Sequence, residues 1–92
     1  MIKSFRHKGL RRLYEDDDAS GISPAHRAKI RQILLLLNNV ERIDQLDLPG
    51  FSLHQLQGNR RGIWSMKVTG NWRITFEFAD GDAHHVDLED YH

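Results

Sequence analysis

Three side chains able to move or orient protons close the chain, Asp90-Tyr91-His92, and a fourth, His54, stands in its middle. Unperturbed histidine titrates at about pH 6.5, so His54 and His92 could divide general acid and general base work near neutrality. Tyr91 could donate a proton or stack on a base, and Asp90 could orient an imidazole. Lys67 and Arg73 could clamp a phosphate, the arginine through its two-pronged fork. Such a set suits cleavage of RNA by its own 2′-hydroxyl. One group removes the 2′ proton, another protonates the leaving 5′-oxygen, and cations stabilise the phosphorane. The RNA carries its nucleophile, so the reaction calls for no metal and no cofactor. The residue types alone leave a second reading open, in which a polar tail frays and His54 is a surface histidine.

Other catalytic patterns are absent. The chain has no G-x-S-x-G elbow, no P-loop and no H-E-x-x-H pair. Gly58-Asn59-Arg60-Arg61-Gly62 is too short to cradle phosphates ahead of a helix and reads as a hairpin loop. His84 and His85 are adjacent on an expected strand, where neighbours face opposite sides, so they are not expected to chelate one ion. His7 and His26 lie near helix starts with no evident partner and are expected to be solvated.

These groups sit in a chain of 92 residues, enough for one domain (residues 1–92) with one modest core. It has no cysteine, hence no disulfide and no thiolate chemistry, which suits a reducing cytoplasm. Met1-Ile2-Lys3-Ser4-Phe5-Arg6 lacks the apolar stretch of a signal peptide, and no apolar run is long enough for a membrane span. Thirteen basic and thirteen acidic residues cancel, which taken alone argues against nucleic acid. The positions argue otherwise. Residues 1–14 and 51–75 contain bases and no acid; residues 15–18 and 76–92 contain acids and no Lys or Arg. Local field, not the sum, steers a ligand.

The elements that must position the site follow from periodicity. Residues 2–6 predict a short strand that joins the sheet, and Leu10, Leu13 and Tyr14 predict a helix over 8–15. Ser23-Pro24 reads as a hydroxyl cap followed by proline at the first helical position. Ile30, Ile33, Leu34, Leu37 and Val40 trace one helical face, widened by Leu35 and Leu36, to an end at Asn38-Asn39. After Pro49-Gly50 the period becomes two. Phe51 and Leu53 alternate with Ser52 and His54, then Trp64, Met66 and Val68 with Ser65, Lys67 and Thr69. Trp72, Ile74, Phe76 and Phe78 alternate with Arg73, Thr75 and Glu77, and Val86 and Leu88 face inward on a last strand. Gly70-Asn71 and Asp80-Gly81 are tight turns. The expected fold is α+β, with two N-terminal helices packed on one face of a mostly antiparallel β-sheet. The other face should be open, polar and basic, displaying His54, Ser65, Lys67, Thr69, Arg73 and Thr75, with Arg60 and Arg61 in a loop beside it.

Taken in order, Met1-Ile2-Lys3-Ser4-Phe5, His7-Lys8-Gly9-Leu10, Leu53-His54-Gln55-Leu56-Gln57-Gly58, Asn71-Trp72-Arg73-Ile74-Thr75-Phe76, Asp80-Gly81-Asp82-Ala83 and Asp90-Tyr91-His92 resemble HigB toxins of the RelE/ParE superfamily. The resemblance runs the length of the chain. It implies a RelE-like, microbial RNase-like fold and an endoribonuclease of a type II toxin–antitoxin system that cuts mRNA in the ribosomal A site and stops translation. It implies a HigA antitoxin with a helix-turn-helix, and contact with DNA only through that partner. By position, His54, Asp90, Tyr91 and His92 match the family's catalytic set, Arg73 a basic active-site residue, and Asn71 an mRNA contact. Lys67, Arg60 and Arg61 extend the expected substrate contacts. Where family members often read His-Pro-Leu-Lys-Gly, this chain reads His54-Gln55-Leu56-Gln57-Gly58, which removes a rigid proline and a cationic contact. Two other classes share the fold and stay open at this level: a ParE-like inhibitor of DNA gyrase, and a silent protein-binding module.

Overall fold

Alternation of large apolar residues with polar ones produces a meander, because each strand can bury only one of its faces. A computed structural model describes residues 1–90. It contains α1 (Lys8–Asp16), α2 (Arg27–Asn39), β1 (His54–Gln55), β2 (Ile63–Thr69), β3 (Trp72–Ala79) and β4 (Asp82–Asp90), with short 3-10 turns at Pro24–His26, Ile43–Leu46 and Gly58–Arg60. The strands pair antiparallel in the order β1-β2-β3-β4, and the radius of gyration is 12.1 Å. The two helices cover one face. Ile30, Ile33, Leu34 and Leu37 of α2 join Leu10 and Leu13 of α1, with Met66, Val68, Ile74, Phe76, Ala83 and Val86 from the sheet, in one core. Leu36 packs against that core, whereas Leu35 is 65% exposed. No helix is long and apolar enough to cross a membrane among the described residues.

Helix ends depart from the expected chemistry. Ser23 makes no side-chain cap; the chain passes through the 3-10 turn Pro24–His26 before α2 begins. His7, expected to be solvated, caps α1: its Nδ1 accepts from the Leu10 amide at 3.1 Å. His26, also expected to be free, packs its ring 5.6 Å from that of Trp72. Asn38, read as a helix stop, also binds α1 and the N-terminus, because its Oδ1 accepts from Tyr14 Oη at 2.6 Å and from the Ile2 amide at 3.3 Å.

The sheet edges carry the main differences from simple alternation. Residues 2–6 lie along β4, but as two isolated parallel bridges, Ile2 to Ala83 and Phe5 to Val86, not as a ladder. Between them β4 bulges. Thr75 pairs with Asp87 and Glu77 with His84, so β4 carries one extra residue there, and His85 takes a positive φ of 54°. The His85 amide turns to Ser4 Oγ at 2.9 Å. The bulge also removes the strict alternation expected of His84 and His85, whose ring centroids lie 6.4 Å apart. No cluster of three metal-ligating side chains forms among the described residues. At the other edge β1 is only two residues long. Gly50 and Ser52 both have positive φ, which turns the backbone where alternation from Phe51 was expected. The 51–56 segment still joins β2 through Lys67 N to Phe51 O and Leu56 N to Ile63 O.

Candidate nucleic-acid interface

Register sorts the candidate residues onto faces, since directly paired residues share a side of the sheet. One row of the helix-free face runs His54, Ser65, Thr75, Asp87; the next runs Lys67, Arg73, Glu89. His54, Lys67 and Arg73 therefore share this face, as the sequence predicts. Two predictions about it need correction. The face is not uniformly basic, because β3 and β4 add Glu77, Asp87 and Glu89 to it. Nor is it fully open. Ser65 and Thr75 are buried. The alternation of β4 could have revealed Glu89 as a member of this face; only pairing shows what it binds.

Arg60 Nη2 lies 2.6 Å from Glu89 Oε2, and Thr75 Oγ1 donates to the same oxygen. Arg60 thus crosses from the β1–β2 loop to β4. Its guanidinium is engaged by protein at Nη2. The Arg60 hydrogen bond holds the Glu89 carboxyl below the usual carboxylate range, with Thr75 and Arg6 adding to the effect against the opposing pull of partial burial. A cleft of about 240 Å³ opens beside this bridge, lined by Arg6, Arg60, Glu77, His85, Asp87 and Glu89. Within it His85 Nδ1 is in hydrogen-bond contact with Glu77 Oε2.

Arg73 is different. Its Nε and Nη1 are buried with no hydrogen-bond partner among the described residues, and Ser65 Oγ shares that condition. These orphaned polar atoms all lie on this one face, in adjacent rows. Arg73 also stands directly across from Lys67. Two cations opposite each other on paired strands repel, and buried donors without partners are destabilising. An anion seated between them would relieve both. Arg61 and Asn71 are exposed, in the β1–β2 loop and the β2–β3 turn.

His54 is exposed at the β1 edge, with Nδ1 3.1 Å from the Ser52 carbonyl. A carbonyl can only accept, so in the neutral ring the proton sits on Nδ1 and Nε2 is the basic nitrogen. Asp90 pairs with Trp72, which puts it on the helix-bearing face of β4, the strand at the opposite edge from β1. Tyr91 and His92, the other two expected catalytic residues, lie outside the described residues.

Comparison with known proteins adds the decisive observation. Residues 3–92 match the family model of the HigB-like toxin, described as a RelE-like toxin of the type II toxin–antitoxin system HigB. This chain belongs to the HigB-like toxin family. Among curated HigB proteins, it is 44% identical over 92 residues to Endoribonuclease HigB of Proteus vulgaris, covering all of both chains. It is 31% identical over 85 residues to Toxin HigB-1 of Vibrio cholerae serotype O1, covering 90% of each. Among solved structures, YafQ from E. coli strain BL21(DE3) shares the fold with a TM-score of 0.63 at 18% identity, over 98% of this chain and 91% of that one. The HigB-like toxins work in pairs with an antitoxin, so the expected α+β fold and the toxin assignment both stand.

Proposed function

We propose that this toxin is a metal-independent endoribonuclease that cleaves mRNA in the ribosomal A site, acts in the cytoplasm, and is neutralised by a HigA-like helix-turn-helix antitoxin. The observation that carries the reading is the concentration of orphaned polar atoms, Ser65 Oγ and Arg73 Nε and Nη1, beside Lys67 on the face that also bears His54. The Proteus vulgaris relative, an endoribonuclease by name, agrees with it. The scissile phosphate sits against Arg73 and Lys67. His54, with Nδ1 tied to Ser52, takes the 2′ proton on Nε2. The 2′-oxygen then attacks phosphorus, the bond to the 5′-oxygen breaks, and His92 returns a proton to that oxygen. The products are a 2′,3′-cyclic phosphate and a 5′-hydroxyl. Tyr91 and Asn71 contact the RNA, Asp90 orients groups at the C-terminal end, and Arg61 adds a phosphate contact.

Induced expression tests this. Wild type should arrest growth and create new mRNA ends within open reading frames. His54→Ala, and removal of His92, should each lower cleavage by at least about 10²-fold, the usual size of a general acid–base contribution. Full toxicity in both variants would refute the assignment. Arrest with DNA damage and no new mRNA ends would point to gyrase. A wild type that arrests nothing would point to a binding module.

A further inference from the structure

Arg73 and Glu89 are direct partners across β3 and β4. Opposite charges in that position attract, and their default arrangement is an ion pair. The structure shows another arrangement. Glu89 gives its Oε2 to Arg60, which arrives from the Gly58–Arg60 turn, and to Thr75, its neighbour on β3. Arg73 keeps two buried donors without a partner among the described residues. Its other cross-strand neighbour is Lys67, a cation that cannot satisfy it. The carboxylate nearest to Arg73 by register is thereby engaged elsewhere, and the arginine that engages it belongs to a different element.

We infer that Arg60 is a positioning residue: by binding Glu89 it holds that carboxylate off Arg73 and leaves the Arg73 donors uncommitted, for a substrate phosphate to take. Without Arg60, Glu89 is released to the cations beside it, Arg6 in the same cleft and its cross-strand partner Arg73, and at Arg73 an internal carboxylate competes with the RNA. The geometry of the loop serves this. Gly58 and Gly62, at φ of 69° and 97°, bracket the turn and direct Arg60 over the sheet. Thr75 fixes the carboxylate from below, so Glu89 has one acceptor oxygen committed to two donors. Arg60 thus acts on the substrate through Glu89 and Arg73 and does not itself touch the scissile group. The inference rests on the proposed role of Arg73 as the phosphate clamp.

The test is a charge-rescue cycle on the full chain. The probe is a short single-stranded RNA with a 2′-deoxy nucleotide at the cleavage position, read by fluorescence anisotropy, with thermal melts confirming that each variant folds. Arg60→Met should weaken binding by about tenfold or more, the effect expected when a charge-assisted contact is lost to competition. Adding Glu89→Gln to Arg60→Met should restore binding to near the wild-type value, because no carboxylate remains to capture Arg73. A purely structural tie between loop and β4 predicts the opposite, with the double variant as weak as the single one, and that result would overturn the inference. An independent signal comes from the Arg73 Nε–H resonance, expected to shift in Arg60→Met and to return in the double variant. An unmoved resonance would also overturn it. Arg73→Ala separates the two levels. If Arg73→Ala binds the RNA as wild type does, the phosphate-clamp reading itself fails. If it binds weakly while the cycle shows no rescue, only the role of Arg60 fails.

Discussion

Glu89 loses a proton more readily than a free carboxylate because Arg60 and Thr75 donate to it, and that preference is linked to folding. A group whose pKa is depressed in the folded state contributes stability above its unfolded pKa. That contribution is lost as pH falls from the ordinary value of 4.5 through the lowered one. Glu89→Gln should therefore lower stability at neutral pH and flatten its decline below about pH 4.5 relative to wild type. Urea denaturation midpoints measured from pH 7 down to pH 3 check this; parallel curves for the two proteins would exclude the linkage. Asp18 also has a depressed pKa, through Ser20. It is present in both proteins, so the difference isolates Glu89. At the same scale His54 shows how a backbone carbonyl selects a tautomer, which is why Nε2 is the nitrogen proposed to take the 2′ proton.

At the scale of elements, two places hold the framework under the site by close or strained backbone. Gly9 at the start of α1 faces Gly21 in the α1–α2 loop. A Cβ on Gly9 would stand 2.8 Å from the Gly21 carbonyl oxygen, and one on Gly21 would stand 2.9 Å from Gly9 Cα. The atom nearest to the Gly9 Cβ is backbone and cannot swing away. Gly9→Ala should destabilise the protein by about 1–3 kcal/mol, the range for overpacking, despite alanine's better helix propensity. Thermal denaturation would show it; an unchanged or raised Tm would contradict the close approach. The second place is His85 in the β4 bulge, at φ 54°. A β-branched residue tolerates that conformation poorly, so His85→Val should cost about 1–3 kcal/mol. Glu77, bound to His85, faces the same cleft as Glu89. Hydrogen exchange of the amides paired with residues 2–6 should rise in His85→Val if the bulge anchors that segment.

The whole molecule has zero formal charge but an uneven field. On the helix-free face the acids of β3 and β4 meet the bases of β2 and β3. Arg60 is spent within the protein, and Lys67, Arg73 and Arg61 have no ion-pair partner among the described residues. Three phosphate contacts on single-stranded RNA give a slope of log affinity against log salt of about −2. Binding to free RNA should be weak and follow that slope, which anisotropy titrations across a salt series measure. A slope steeper than about −5 would mean that the N-terminal bases join the contact. Tight, salt-insensitive binding would contradict an electrostatic clamp. Weak binding with that slope would leave the rest of the affinity to the proposed ribosomal setting.

By periodicity and turn chemistry alone, the two helices, the meander, the inward apolar rows and the Asp80-Gly81 turn were all legible, because each depends on residues close together in the chain. So was the family, through motifs whose order and spacing run the whole length. The shared face of His54, Lys67 and Arg73 was legible too, since strand alternation is a local rule. Tertiary structure decided what pairing controls. It set which acids share the polar face and placed Asp90 beside Trp72. It put an extra residue at His85 and tied His7, His26 and Asn38 to partners distant from any motif. It also paired Arg60 with Glu89. The reason is physical. Periodicity says which side of its own strand a residue occupies, whereas a charge responds to its nearest counter-charge. For Arg73 that neighbour lies sixteen positions away, and only the β3–β4 register brings the two together.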